Sequence, residues 1–244
     1  VKSYRAKATG ELRLWFKPGE IDDWMEVELR KANLYPTADD PVVDIERFVD
    51  RHLGVDLEQY APLKCTVLGE TRFEPGKKPK ILINKSLTEI AIDEEDVEPW
   101  LRSKWRMTMA HEATHVLLHR GLYPSDDSQQ MLFSVEDGNS SDGQGYAYQC
   151  LEKSLDAPGR GDWREVQANK GMAALLMPKS LFLALYQAER ERMAAGSKPL
   201  LKGSPEASLI AKTLGRLFDV SVQSVDIRLQ ELNLFANPGQ VQLL

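Results

Sequence analysis

Five residues near the middle of the chain, His111-Glu112-Ala113-Thr114-His115, constrain its fold more than any other feature. They sit in a stretch of helical periodicity that opens on Pro99, a favoured first helical position, and stops at His119-Arg120-Gly121. On a helix, residues four apart share a face about one turn apart, so both imidazoles can reach a single ion. Glu112 lies beside them, placed to take a proton from water bound to that ion. This is the H-E-x-x-H arrangement of zinc hydrolases. Ordinary residue frequencies would put the pattern in roughly one chain of this length in a hundred. Of the four histidines, His111, His115 and His119 fall within nine residues, which weakens an incidental origin further.

A catalytic zinc takes three protein ligands and keeps one position open. His119 continues the spacing, but on a straight helix it lies about 12 Å along the axis from His111, too far to close a compact tripod. Its expected role is at the helix end, bonding carbonyls or complementing the macrodipole. Glu165 is better placed. It begins a second helix in which Asn169 follows one turn later, and Ala168, Gly171, Ala173 and Ala174 are small enough to let two helices approach closely. Asn169 could then steady a ligand. Asp162-x-x-Glu165 also reads as a capping box, in which Glu165 would only bond back to the helix start. Spacing alone leaves the two roles level.

The blocks Ala110-His-Glu-Ala-Thr-His-Val-Leu-Leu-His119, Glu165-Val-Gln-Ala-Asn169 and Ala173-Ala-Leu-Leu-Met-Pro178 resemble, in order, those of the ImmA/IrrE metallopeptidases. The resemblance covers roughly residues 44–194 and extends to the C-terminal helices. It implies an α+β fold with a zincin-like metallopeptidase core, a small β-sheet and a helical, helix-turn-helix-like C-terminal region. It implies one zinc ion held by His111, His115 and Glu165, with Glu112 as general base. The implied activity is hydrolysis of a peptide bond in a protein substrate, a DNA-binding transcriptional repressor encoded nearby in a phage, mobile element or stress operon. The alternative is a zinc-containing regulatory module that binds protein and turns over little. Gln167 stands where the family often has an acidic residue, Thr114 where glycine is common, and the segment between the two helices is long for the family.

Three regions follow along the chain: an N-terminal extension (1–40), the metallopeptidase domain (41–195) with a long loop at about 122–161, and a helical C-terminal region (196–244). Helices are expected from Ile21 to Ala32, from Asp44 to Gly54, from Asp162 to Met177 and from Lys179 to Ala194. Strand-like runs are Leu63–Leu68, Thr71–Phe73 and Lys80–Ile83, with Gly69 and Pro75-Gly76 as turns. Within the long loop, Asp137–Gly145 is the loosest stretch, and Met131–Phe133 and Tyr146–Tyr148 look able to dock. Tyr123, Tyr146, Tyr148 and His119 are by type able to stabilise an oxyanion. Cys150 falls between the two motif helices, where a thiolate would make a fourth ligand and close the open position; the plain alternative is an ordinary cysteine. Cys65, in a strand-like run, reads as packing.

The segment Leu209–Leu229 resembles a helix-turn-helix in which Ser221 caps the second helix and Val220, Val225 and Leu229 pack inward. Its second helix offers Gln223, Ser224, Asp226, Arg228 and Gln230, a poor cationic set for phosphates. A formal net charge of −6 also counts against a general nucleic-acid surface. Two cysteines are too few for a disulfide framework, and no apolar stretch could span a bilayer, so the expected address is cytoplasmic. Oligomeric state is not legible.

Overall fold

The computed structural model describes residues 1–6, 10, 12–123, 146–151, 162–193 and 199–236. The architecture is mixed α+β. A two-stranded antiparallel ribbon, β1 (Lys2–Arg5) and β2 (Leu12–Trp15), precedes α1 (Glu20–Lys31) and α2 (Ile45–His52). A four-stranded sheet follows, built from β3 (Asp56–Ala61), β4 (Val67–Phe73), β5 (Lys80–Asn84) and β6 (Tyr146–Leu151) in the order β3-β5-β4-β6. β3 and β5 are parallel, whereas β5 with β4 and β4 with β6 are antiparallel. A short helix, α3 (Lys85–Thr88), leads to the long α4 (Pro99–His119). The remaining helices are α5 (Trp163–Leu176), α6 (Lys179–Arg192), α7 (Pro205–Phe218) and α8 (Val222–Glu231).

One apolar cluster joins these elements. It takes Met25 and Leu29 from α1, Phe48 from α2, Ile81 and Ile83 from β5, Met109 from α4, Leu175 from α5, Phe182 from α6, Phe218 from α7 and Leu229 from α8. Each of these side chains is fully withdrawn from water, worth about 1.5–3 kcal/mol apiece for the larger ones. The sequence signals that close the helices act as expected at several ends. Asp44 caps α2 through Arg47 N, and Ser221 caps α8 through Ser224 N. Val220, Val225 and Leu229 are buried, and the chain turns between α7 and α8 with Asp219 in the left-handed region at φ 52°.

Several local readings need correction. The strand-like run Leu63–Leu68 is mostly loop: β4 begins at Val67 and continues through Gly69, which is a mid-strand residue and not a turn. Cys65 is therefore exposed in the loop instead of packed. β3 carries no clean alternation (Asp-Leu-Glu-Gln-Tyr-Ala), and its strand character comes from pairing with β5. The stretch 122–161 is not one loop, because Tyr146–Leu151 forms β6 against β4. Met131–Phe133 and Asp137–Gly145 lie outside the described residues. Arg228 does not face solvent: it is buried, and its Nη2 donates to Asp22 Oδ1 at 2.5 Å and to the Met177 carbonyl at 3.0 Å. That pair ties α8 to α1 and to the end of α5. Among the described residues, no helix is long and apolar enough to cross a membrane.

Candidate metal centre

Helix α4 is buried almost all round from Ser103 to His119, polar residues included. A buried polar side chain needs a partner. Thr108 and Thr114 find theirs within the helix, donating to the Lys104 and Ala110 carbonyls at 2.9 and 2.8 Å. His111, Glu112, His115 and His119 must look outward, and they do so in two directions.

Towards α5, the imidazoles meet Glu165. The Asp162 side chain caps α5 by accepting from Arg164 N, which leaves Glu165 free to turn away from the helix start. Its Oε2 lies 3.2 Å from His111 Nε2 and its Oε1 3.3 Å from His115 Nε2. The two Nε2 atoms are 3.1 Å apart. This closeness depends on Gly171, where a Cβ would sit only 2.2 Å from Thr114 Cγ2. The small residues of α5 thus do what their size predicts, and at Gly171 the α5 backbone comes up against the Thr114 side chain.

The hydrogen-bond partners behind the imidazoles assign their tautomers. Gln167 Nε2 donates to the Leu14 carbonyl at 2.8 Å, so its Oε1 is an acceptor, 3.1 Å from His119 Nε2. His119 therefore carries its proton on Nε2 and accepts at Nδ1, which lies 3.1 Å from His115 Nδ1. His115 in turn donates from Nδ1 and leaves Nε2 bare. His111 is oriented likewise by Asn169 Oδ1, 3.0 Å from its Nδ1. With His111 neutral, two imidazole lone pairs and a carboxylate converge, and Glu165 Oε2 is buried without a hydrogen-bond partner among the described residues. A tetrahedral ion bound at 2.0–2.1 Å separates neighbouring N and O donors by about 3.3 Å. The donor set matches that edge length, and it can hold a metal ion.

Electrostatics point the same way. Burial and the neighbouring His111 hold His115 down to about 4, and burial with His115 beside it holds His119 down to about 3, so both stay neutral. Burial also pulls on His111, but Glu165 and Glu112 outweigh it and raise His111 above its ordinary value. Burial likewise works against the Glu165 carboxylate, yet the two imidazoles hold it well below the usual range. His111 and Glu165 thus favour a positive charge between them, while His115 and His119 stay neutral.

Towards the sheet, Glu112 Oε2 accepts from Thr71 Oγ1 of β4 at 2.5 Å, while Oε1 has no hydrogen-bond partner among the described residues. Burial pushes the Glu112 carboxyl up to about 8, against the pull of His111 and the Thr71 hydroxyl; a nearby divalent cation would bring it down again. Gly69 of β4 is packed against this side chain: a Cβ there would lie 2.8 Å from Oε1 and 2.7 Å from Thr108 Cγ2. His111, Glu112 and Cys150 form a second buried group whose ligand atoms lie within 4.8 Å of one another.

The structure thus brings His111, His115 and Glu165 together with Glu112 alongside. His119 ends α4, but its ring nitrogens face His115 and Gln167 and not the helix-end carbonyls. It is buried and locked between His115 and Gln167, which removes it from the oxyanion candidates. Tyr148 stacks on the His115 ring at 4.9 Å and 11°, with Tyr123 and Tyr146 further out along the same aromatic row. Thr71, Gly69 and the holding role of Gln167 carried no local sequence signal, because each acts across elements far apart in the chain. In comparisons with models of known protein families and with curated proteins, no match to this chain is found.

Proposed function

We propose that the chain is a zinc-dependent endopeptidase of the ImmA/IrrE kind, with a zincin-like core, acting on a protein substrate that by sequence resemblance is a DNA-binding repressor. The observation that carries this reading is the convergence of His111 Nε2, His115 Nε2 and Glu165 beside a buried, half-partnered Glu112. Zinc, when bound there, would acidify a water and polarise the scissile carbonyl.

The chain's own residues divide the remaining work. Thr71 fixes one oxygen of Glu112, so Oε1 takes the proton of the attacking water and passes it to the departing amine. Asn169 and the His119–Gln167 pair hold the two imidazoles in the tautomer a metal requires. Among the described residues β6 pairs on one side only, with β4, and an extended peptide could add to its other edge.

The test begins with metal content. Protein purified without chelator should carry about one zinc per chain, and Glu165→Ala should lose it. Glu112→Gln should keep zinc but slow cleavage of a co-expressed repressor from the chain's own gene neighbourhood by about 10²–10⁴-fold. Absence of zinc even after it is offered at neutral pH would end the metallopeptidase reading. A regulatory effect that survives Glu112→Gln would replace it with a zinc-containing binding module.

A further inference from the structure

The donor atoms of this region do not end with the two histidines and Glu165. Cys150, Glu112 and His111 present a sulfur, a carboxylate oxygen and a ring nitrogen within 4.8 Å of one another, and all three side chains are buried. Cys150 arrives there through the sheet. β6 pairs with β4 so that Cys150 stands opposite Gly69, and it is Gly69 that leaves room for Glu112 Oε1. That oxygen is fully buried and lacks a hydrogen-bond partner among the described residues. A buried carboxyl oxygen left without a partner is costly in either protonation state, and a cation that draws the group into its carboxylate form compensates it. The group is not the fourth corner of the first site: Cys150 clusters with Glu112 and His111, whereas His115 and Glu165 cluster with His111 alone.

We propose that His111, Glu112 and Cys150 form a second, alternative position for a divalent cation, one that selects thiophilic ions. Imidazole, carboxylate and thiolate together suit zinc and, more strongly through the sulfur, cadmium. His111 belongs to both groups, and Asn169 engages its Nδ1. Only Nε2 is left to bind, so one ion holds it at a time and the two positions exclude each other. Binding at the second position releases to solvent the Cys150 thiol proton and any proton carried by Glu112. On the metallopeptidase reading above, the consequence is a latch, because a Glu112 occupied as a ligand cannot serve as a base. Excess thiophilic metal then arrests the protein with all its ligands intact.

The experiment is a cadmium titration of the full chain carrying Cys65→Ser, which removes the exposed thiol. It is followed by the ultraviolet thiolate-to-cadmium charge-transfer band and by cadmium content. The expected result is a band that is retained in Glu165→Gln, where the first position is impaired, and lost or strongly weakened in Glu112→Gln. A band lost in Glu165→Gln but kept in Glu112→Gln would overturn the proposal, since Cys150 would then be closing the first site. Cadmium bound without any band would also overturn it and leave the metallopeptidase reading standing. Failure of the chain to bind either cadmium or zinc would remove both. Circular dichroism of each variant separates loss of a ligand from loss of fold.

Discussion

The two faces of α4 are built by the same device to different ends. On the α5 face, Gly171 lets a helix come up against Thr114; on the sheet face, Gly69 lets a strand come up against Thr108 and Glu112. On the α5 face the imidazoles are held in closed chains, and the one open oxygen, Glu165 Oε2, points at the histidines. His111 is held by Asn169, and His115 is held by His119, which is held by Gln167, which is held by the Leu14 carbonyl. On the sheet face Thr71 satisfies one oxygen of Glu112 and the other is left without a partner. One face fixes tautomers and positions; the other keeps a reactive atom dry and unspent. If that division is right, substitutions on the two faces should separate metal binding from turnover.

The largest effect on metal binding is expected from Gly171→Ala. A methyl group 2.2 Å from Thr114 Cγ2 cannot be accommodated without moving a helix or a side chain. Thr114 is in turn pinned by its bond to the Ala110 carbonyl. Overpacking of this kind costs about 1–3 kcal/mol, and a displacement near 1 Å at such a site can cost about 100-fold. Zinc affinity by competition with a chromophoric chelator should fall by that order, together with the denaturation midpoint. Thr114→Ala in the same chain removes the clashing methyl and should restore most of both. A Gly171→Ala protein that binds zinc normally would show that the helix contact does not set the ligand geometry.

A smaller loss is expected from Gln167→Leu, which touches no ligand. It removes the acceptor that fixes His119 and, through it, the Nδ1–H tautomer of His115. Partners of this kind are typically worth about 10–100-fold in metal affinity. Gln167→Glu keeps an acceptor for His119 and should retain most of the affinity, which a merely structural role would not predict. Imidazole ¹⁵N shifts read the tautomer directly: His115 should report a bare Nε2 in the parent and a mixture in Gln167→Leu. Unchanged shifts with unchanged affinity would mean that His115 is held by its packing alone.

The contrast between the faces also explains what could be read from the chain and what could not. The α5 face was legible because its signals are local: two histidines four apart, a Glu-x-x-x-Asn pair, and a run of small residues, each legible within one helix. Even there, spacing left Glu165 level between cap and ligand; the family resemblance favoured the ligand role, and the geometry places its carboxylate at the two imidazoles while Asp162 does the capping. The sheet face was nearly silent. Gly69 read as a turn because a glycine between apolar runs usually is one, yet here it marks close approach of a helix. β6 read as loop because its partner β4 is more than 70 residues earlier, and Tyr-Ala-Tyr-Gln-Cys-Leu has no alternation strong enough to declare a strand by itself. His119 was misjudged for a related reason. Its position at a helix end suggested the macrodipole, while its actual partner, Gln167, lies on another helix.

Gly69→Ala is the substitution that distinguishes the faces most sharply, though its effect on metal binding should be the smallest of the three. The added Cβ would meet Thr108 Cγ2 at 2.7 Å and Glu112 Oε1 at 2.8 Å, and neither His115 nor Glu165 is among its near neighbours. Zinc affinity should therefore change by no more than about 3-fold, well short of what loss of a ligand's supporting partner costs. On the proposed metallopeptidase reading, cleavage should fall towards the level of Glu112→Gln, because Oε1, the oxygen assigned there to take the proton, is the atom displaced. Thr108→Ser relieves one of the two contacts and leaves the one on Oε1, so it should recover stability without recovering turnover. Loss of zinc in Gly69→Ala would mean that the sheet also positions the ligands, and the division between a holding face and a reacting face would fail. Unimpaired cleavage would carry the opposite lesson: the strand can retreat by a few tenths of an ångström, and Thr71 alone is enough to aim Glu112.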